Sequence, residues 1–113
     1  MGKAMRTVEP QLKEILREFS SALHERYGDR YVRLWLYGSQ ARGDARSESD
    51  IDLLLVLRDV TRPTREIDRI SDILADFNLR HRVLLSVLPV EEKTFEKSTG
   101  PFFRNVRLEG IAA

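Results

Sequence analysis

The chain has no cysteine, so it forms no disulfide, holds no metal through thiolates and offers no cysteine nucleophile. That composition is compatible with a reducing compartment, and a cytoplasmic location is expected. The two histidines, His24 and His81, are far apart and lack metal-ligand spacing. The longest apolar run, Leu53 to Leu57, is far too short to span a bilayer, so no membrane association is expected. The opening Met1-Gly2-Lys3-Ala4-Met5-Arg6 lacks the apolar stretch of a secretory signal. An excess of one charge is missing too. Nineteen Lys and Arg against 18 Asp and Glu leave a formal net charge of +1, which gives no overall drive toward nucleic acid or anionic lipid.

What remains is a 113-residue chain that is 42% apolar and 33% charged, as expected for one domain over 1–113 with a modest core. Leu12, Ile15, Leu16, Phe19, Leu23 and Tyr27 recur at helical spacing, with Pro10 at the start and Gly28-Asp29 at the stop. Tyr31 to Tyr37 alternates as a strand, with Val32, Leu34 and Leu36 on one face and Tyr31, Arg33, Trp35 and Tyr37 on the other. Asp50 to Leu57 reads as a strand buried on both faces, hence central. Helical spacing returns over Arg65 to Leu79. A third strand is expected over Arg82 to Val90, closed by Pro89. Short helices follow over Glu91 to Lys97 and Pro101 to Glu109, with Gly110 as a C-cap. The order α-β-β-α-β-α-α suits a small α/β (α+β) domain, a short mixed sheet with helices packed against it.

The chemistry lies between the first two strands, in a core spanning 34–57. Gly38 and Ser39 are small enough for the backbone to approach a phosphate, and a helical turn after them would aim N–H groups at it. The Ser39 hydroxyl adds a donor. Arg42 follows one turn later, and its guanidinium is shaped for bidentate phosphate contact. Gly43 permits a turn, and Asp44, Arg46, Ser47 and Glu48 read as a solvated loop tip. Asp50 and Asp52, at i and i+2 of a strand, share a face. Two such carboxylates repel unless a cation lies between them, and Mg²⁺ is commonly held by one or two carboxylates plus substrate phosphates.

Gly38-Ser39, the ten residues Gln40 to Ser49, then Asp50-Ile51-Asp52 resemble the nucleotidyltransferase superfamily that includes DNA polymerase beta. Ala41-Arg42-Gly43 and Ser49-Asp50-Ile51-Asp52-Leu53 look most like its minimal branch. The resemblance implies a polymerase beta-like fold, with Gly38 and Ser39 holding the triphosphate of ATP and Asp50 and Asp52 as catalytic Mg²⁺ ligands, with two ions in place beside the bound nucleotide. It implies transfer of AMP from Mg-ATP to an acceptor hydroxyl with loss of pyrophosphate. Minimal members are commonly paired with a HEPN-domain protein as toxin–antitoxin modules, so the implied acceptor is a tyrosine on such a partner. The family usually places a third carboxylate on the next sheet strand. In Val83-Leu84-Leu85-Ser86-Val87-Leu88 the matching position is Ser86.

Two rival readings stay open. One is a degenerate module that binds nucleotide or a partner without turnover, and the other is a small-molecule transferase of the aminoglycoside type. Glu91 and Glu92 read as helix N-terminal charges, and Arg17 with His24 as a chance pair on a charged helix. Arg62, Arg65, Arg69, Arg80 and Arg82, interleaved with Glu66, Asp68, Asp72 and Asp76, read as a solvated face laced with ion pairs. Phe102 and Phe103 are expected either to dock within the chain or to meet a partner, a second copy in a homodimer included.

Overall fold

Helix α1 (Pro10–Tyr27) begins where Glu9 accepts hydrogen bonds from the backbone N–H groups of Gln11 and Leu12, both at 3.1 Å. Pro10 stands in the first turn, where its missing N–H costs nothing. The computed structural model describes residues 8–42 and 50–113, without the Ser39 side chain. The expected loop tip at Gly43, Asp44, Arg46, Ser47 and Glu48 therefore lies outside the described residues.

After α1 come strand β1 (Tyr31–Tyr37), the short helix α2 (Ser39–Arg42) and strand β2 (Ile51–Leu57). Helix α3 (Pro63–His81), strand β3 (Leu85–Glu91), helices α4 (Glu92–Lys97) and α5 (Pro101–Glu109) and strand β4 (Ile111–Ala112) complete the order. The sheet runs β3-β2-β1-β4. β2 is antiparallel to β1 and parallel to β3, and α3 makes the crossover a parallel pair requires. β2 is central, as its unbroken apolar run requires.

The sheet is covered on both faces. Leu34, Leu36, Leu53, Leu55 and Leu57 pack against Leu16, Phe19 and Leu23 of α1 and Ile70 and Phe77 of α3. Leu54, Val56 and Val90 pack on the other face against Phe95 of α4 and Val106 of α5. Among the described residues no helix is long and apolar enough to cross a membrane.

Four expectations need correction. The β1–β2 register shifts between Tyr31 and Arg33, a bulge that turns Val32 to the Trp35 side and leaves Tyr31 against the α1–α3 core. The third strand starts at Leu85 and not Arg82. Arg82 adopts a left-handed φ of 53° that caps α3, and Asn78 then accepts from the Leu85 N–H at 2.9 Å. That strand also runs through Pro89 to Glu91, because β3 lies at the sheet edge where a missing N–H is tolerated. Finally, Glu66 is buried, not solvated. Arg30 reaches its carboxylate at 2.8 Å, and Arg69 stands 3.7 Å away.

Candidate active site

Strand periodicity places the site. On β2, Asp52 shares a face with Leu54 and Val56, the face covered by α4 and α5. It pairs across the sheet with Tyr37 on one side and with Ser86 on the other. The helices leave this end of the face open. Asp52 is half-buried, and Asp50, just ahead of β2, is exposed. Burial and the neighbouring Asp50 charge hold the Asp52 carboxyl above the usual carboxylate range, and Arg42 partly offsets them. A half-buried carboxylate with a second carboxylate beside it is an arrangement that a bound cation would relieve.

Gly38 ends β1 with φ +73°. A Cβ there would overlap Asp52 Oδ2 and lie 3.3 Å from its Cγ. The absence of a side chain thus serves twice, permitting the turn and leaving room for the carboxylate. The Gly38 carbonyl accepts from the Arg42 N–H at 3.1 Å, closing the single turn of α2. The structure therefore brings Gly38, Arg42, Asp50 and Asp52 together, with the Ser39 backbone opening α2. The Ser39 hydroxyl lies outside the described part.

Among the described residues β3 sets no third carboxylate beside them. Parallel register seats the exposed Ser86 directly opposite Asp52. Glu91 stands at the far end of β3, roughly 16 Å along the strand from Ser86. There it caps α4 by accepting from the Lys93 N–H at 2.8 Å, which lowers its pKa. Among the described residues no cluster of three His, Cys, Asp or Glu could hold a metal alone. Asp50 and Asp52 nonetheless fit Mg²⁺ in the mode in which substrate phosphates supply the other oxygens.

Sequence reasoning did not connect α5 to this site. Phe103 docks within the chain, edge-on to Phe95, whereas Phe102 stays exposed and meets Tyr37 edge-on at 5.4 Å. Tyr37, Gly38 and Arg42 form one wall of a cavity of about 280 Å³, and Phe102, Asn105 and Glu109 form the other. Their i, i+3, i+7 spacing on α5 was the available signal.

Residues 16–110 match the model of the nucleotidyltransferase domain. The chain belongs to that family. This nucleotidyltransferase domain is 36% identical over 97 residues to a Methanocaldococcus jannaschii protein named putative protein adenylyltransferase MJ1305, covering 82% of this chain and 65% of that one. It is 35% identical over 99 residues to putative protein adenylyltransferase MJ0604 of the same organism, covering 87% of this chain and 93% of that one. The chain thus spans just under two thirds of the first relative and nearly all of the second. A crystal structure of a putative nucleotidyltransferase from Sulfolobus solfataricus superposes with a TM-score of 0.55 at 19% identity, covering 88% of this chain and 72% of that one. That likeness concerns the fold, and agrees with the small α+β nucleotidyltransferase architecture described above.

Proposed function

We propose that this nucleotidyltransferase transfers AMP from Mg-ATP to a hydroxyl on a partner protein, a tyrosine of a HEPN-domain protein being the acceptor implied by the minimal branch. The observation that carries the reading is the packing of Gly38 on Asp52, with Asp50 and Arg42 beside it. The acceptor oxygen attacks the α-phosphorus, the bond to the β-phosphate breaks, and pyrophosphate leaves. Gly38, Ser39 and Arg42 would hold the triphosphate, and Asp50 and Asp52 would hold Mg²⁺. The chemistry such an ion would supply there is neutralising charge for the phosphates and activation of the acceptor hydroxyl. Ser86, opposite Asp52, is no base near neutral pH, so β3 offers no acceptor for the hydroxyl proton. Positioning and charge stabilisation carry such a reaction, so little covalent work falls to the protein.

Two features support a protein acceptor. The relatives are named for protein adenylylation. Leu84 and Leu88 are 55% and 42% exposed, and they flank Ser86 at alternate positions beside the carboxylates, an apolar margin suited to a polypeptide. Ser86 itself favours the second reading, a nucleotide-binding module without turnover.

Calorimetric titration with ATP, with and without Mg²⁺, tests the site. Wild type binds in a Mg²⁺-dependent manner, and Asp50→Asn/Asp52→Asn does not. Incubation with α-labelled ATP and a purified HEPN-domain protein tests transfer. Label on a partner tyrosine, lost on Tyr→Phe replacement there, supports the enzyme. Binding without transfer to any such protein supports the module.

A further inference from the structure

The cavity beside Gly38 shares Gly38 and Arg42 with the phosphate-holding motif, and its α5 wall differs from that motif in chemistry. Phe102, Asn105 and Glu109 present an aromatic ring, an amide that both donates and accepts, and a carboxylate. Phe102 is 42% exposed and makes an apolar corner with Tyr37. Arg42 on the β1 side would draw a phosphate to that wall, and Glu109 would repel one from the α5 wall. Glu109 would accept hydrogen bonds from sugar hydroxyls, which are uncharged donors. Asn105 can pair with the polar edge of a heterocycle, and the exposed Phe102 ring can pack on its flat face. A volume of about 280 Å³ lies at the small end for ligand cavities and suits part of a nucleotide, not all of it. Gly38 belongs to both spaces, because it lines the cavity and packs on the Asp52 carboxylate.

We infer that this cavity binds the nucleoside half of the nucleotide substrate, with Phe102 and Asn105 on the base and Glu109 on the ribose. The inference rests on the proposed nucleotidyl transfer and adds to it a donor subsite built by α5. The cavity adjoins the end of β1, whereas Ser86, Leu84 and Leu88 lie beyond β2 at the β3 edge. Donor nucleoside and acceptor therefore occupy different sides of the carboxylates and do not compete for space.

The test compares Mg-ATP with Mg-tripolyphosphate, which has the phosphates and no nucleoside, by calorimetry on the full chain. Wild type prefers ATP. Phe102→Ala narrows the ratio of the two affinities about tenfold, the scale of one base-to-aromatic stacking contact. Asn105→Ala narrows it in the same direction. Both positions are exposed, so the variants fold. Equal wild-type affinity for the two ligands would overturn the nucleoside subsite and leave the phosphate site standing. So would an unchanged ratio in both variants. Failure of wild type to bind either ligand would remove the nucleotide site itself, and the subsite with it.

Discussion

Replacing Gly38 with alanine separates backbone strain from damage to the site, provided Gly28→Ala is made alongside. Both glycines have left-handed φ, +73° at Gly38 and +57° at Gly28. Gly28, with ψ −126°, lies outside the left-handed helical well, and such sparsely populated conformations cost a Cβ-bearing residue about 1–3 kcal/mol. At Gly28 an added Cβ meets nothing within 4 Å, so the backbone term stands alone. For a chain of this length, 1 kcal/mol shifts the melting temperature by about 4 °C, so Gly28→Ala melts about 4–12 °C lower. At Gly38 the new Cβ also overlaps Asp52 Oδ2. The carboxylate escapes by leaving its rotamer, which adds about 0.5–1.5 kcal/mol. The total of about 1.5–4.5 kcal/mol stays below the 5–15 kcal/mol that holds a typical domain together, so the variant folds. Its displaced carboxylate would no longer complete the proposed cation site. Thermal melts and calorimetry with Mg-ATP then give a divided result: both variants lose stability, and Gly38→Ala alone loses Mg²⁺-dependent binding. Undiminished Mg-ATP binding by a folded Gly38→Ala would refute the claim that Asp52 must hold this position.

Ser86→Asp sets a third carboxylate directly opposite Asp52. Like charges paired across strands destabilise, so the variant melts lower without metal and gains more from added Mg²⁺ than wild type does; an equal Mg²⁺ response would show that position 86 lies outside the cation site. Arg30→Ala leaves the buried Glu66 carboxylate with Arg69 alone, 3.7 Å away, and costs about 3 kcal/mol in urea unfolding, whereas Arg30→Met/Glu66→Leu recovers most of that loss. Arg26 holds the Asp72 pKa down to about 2, by direct hydrogen bonding above all. A lowered carboxyl pKa stabilises the fold above its unfolded value near 3.8, and that contribution is lost as pH falls toward 2. The small melting difference between wild type and Asp72→Asn is therefore present at pH 7 and closes between about pH 4 and pH 2.

The residues themselves determined the motif and most of the element order. Turn chemistry at Gly38, alternation along Tyr31 to Tyr37, the apolar run after Asp52 and the three- and four-residue spacing of α1 are all written within a few neighbouring positions. Local backbone geometry is enough to read them. The absence of an acid at position 86 was equally legible. Tertiary structure decided which distant segments meet. It set Ser86 opposite Asp52, brought Ile111 and Ala112 in as a fourth strand beside β1, and turned Val32 over at a bulge. It buried Glu66 under Arg30, although a helical charge pattern could not distinguish Glu66 from Asp72. It also stood Phe102, Asn105 and Glu109 against Gly38, some 65 residues away in the chain. Such pairings depend on how whole layers pack and on strand register, and a shift of one residue would turn Asp52 to the opposite face.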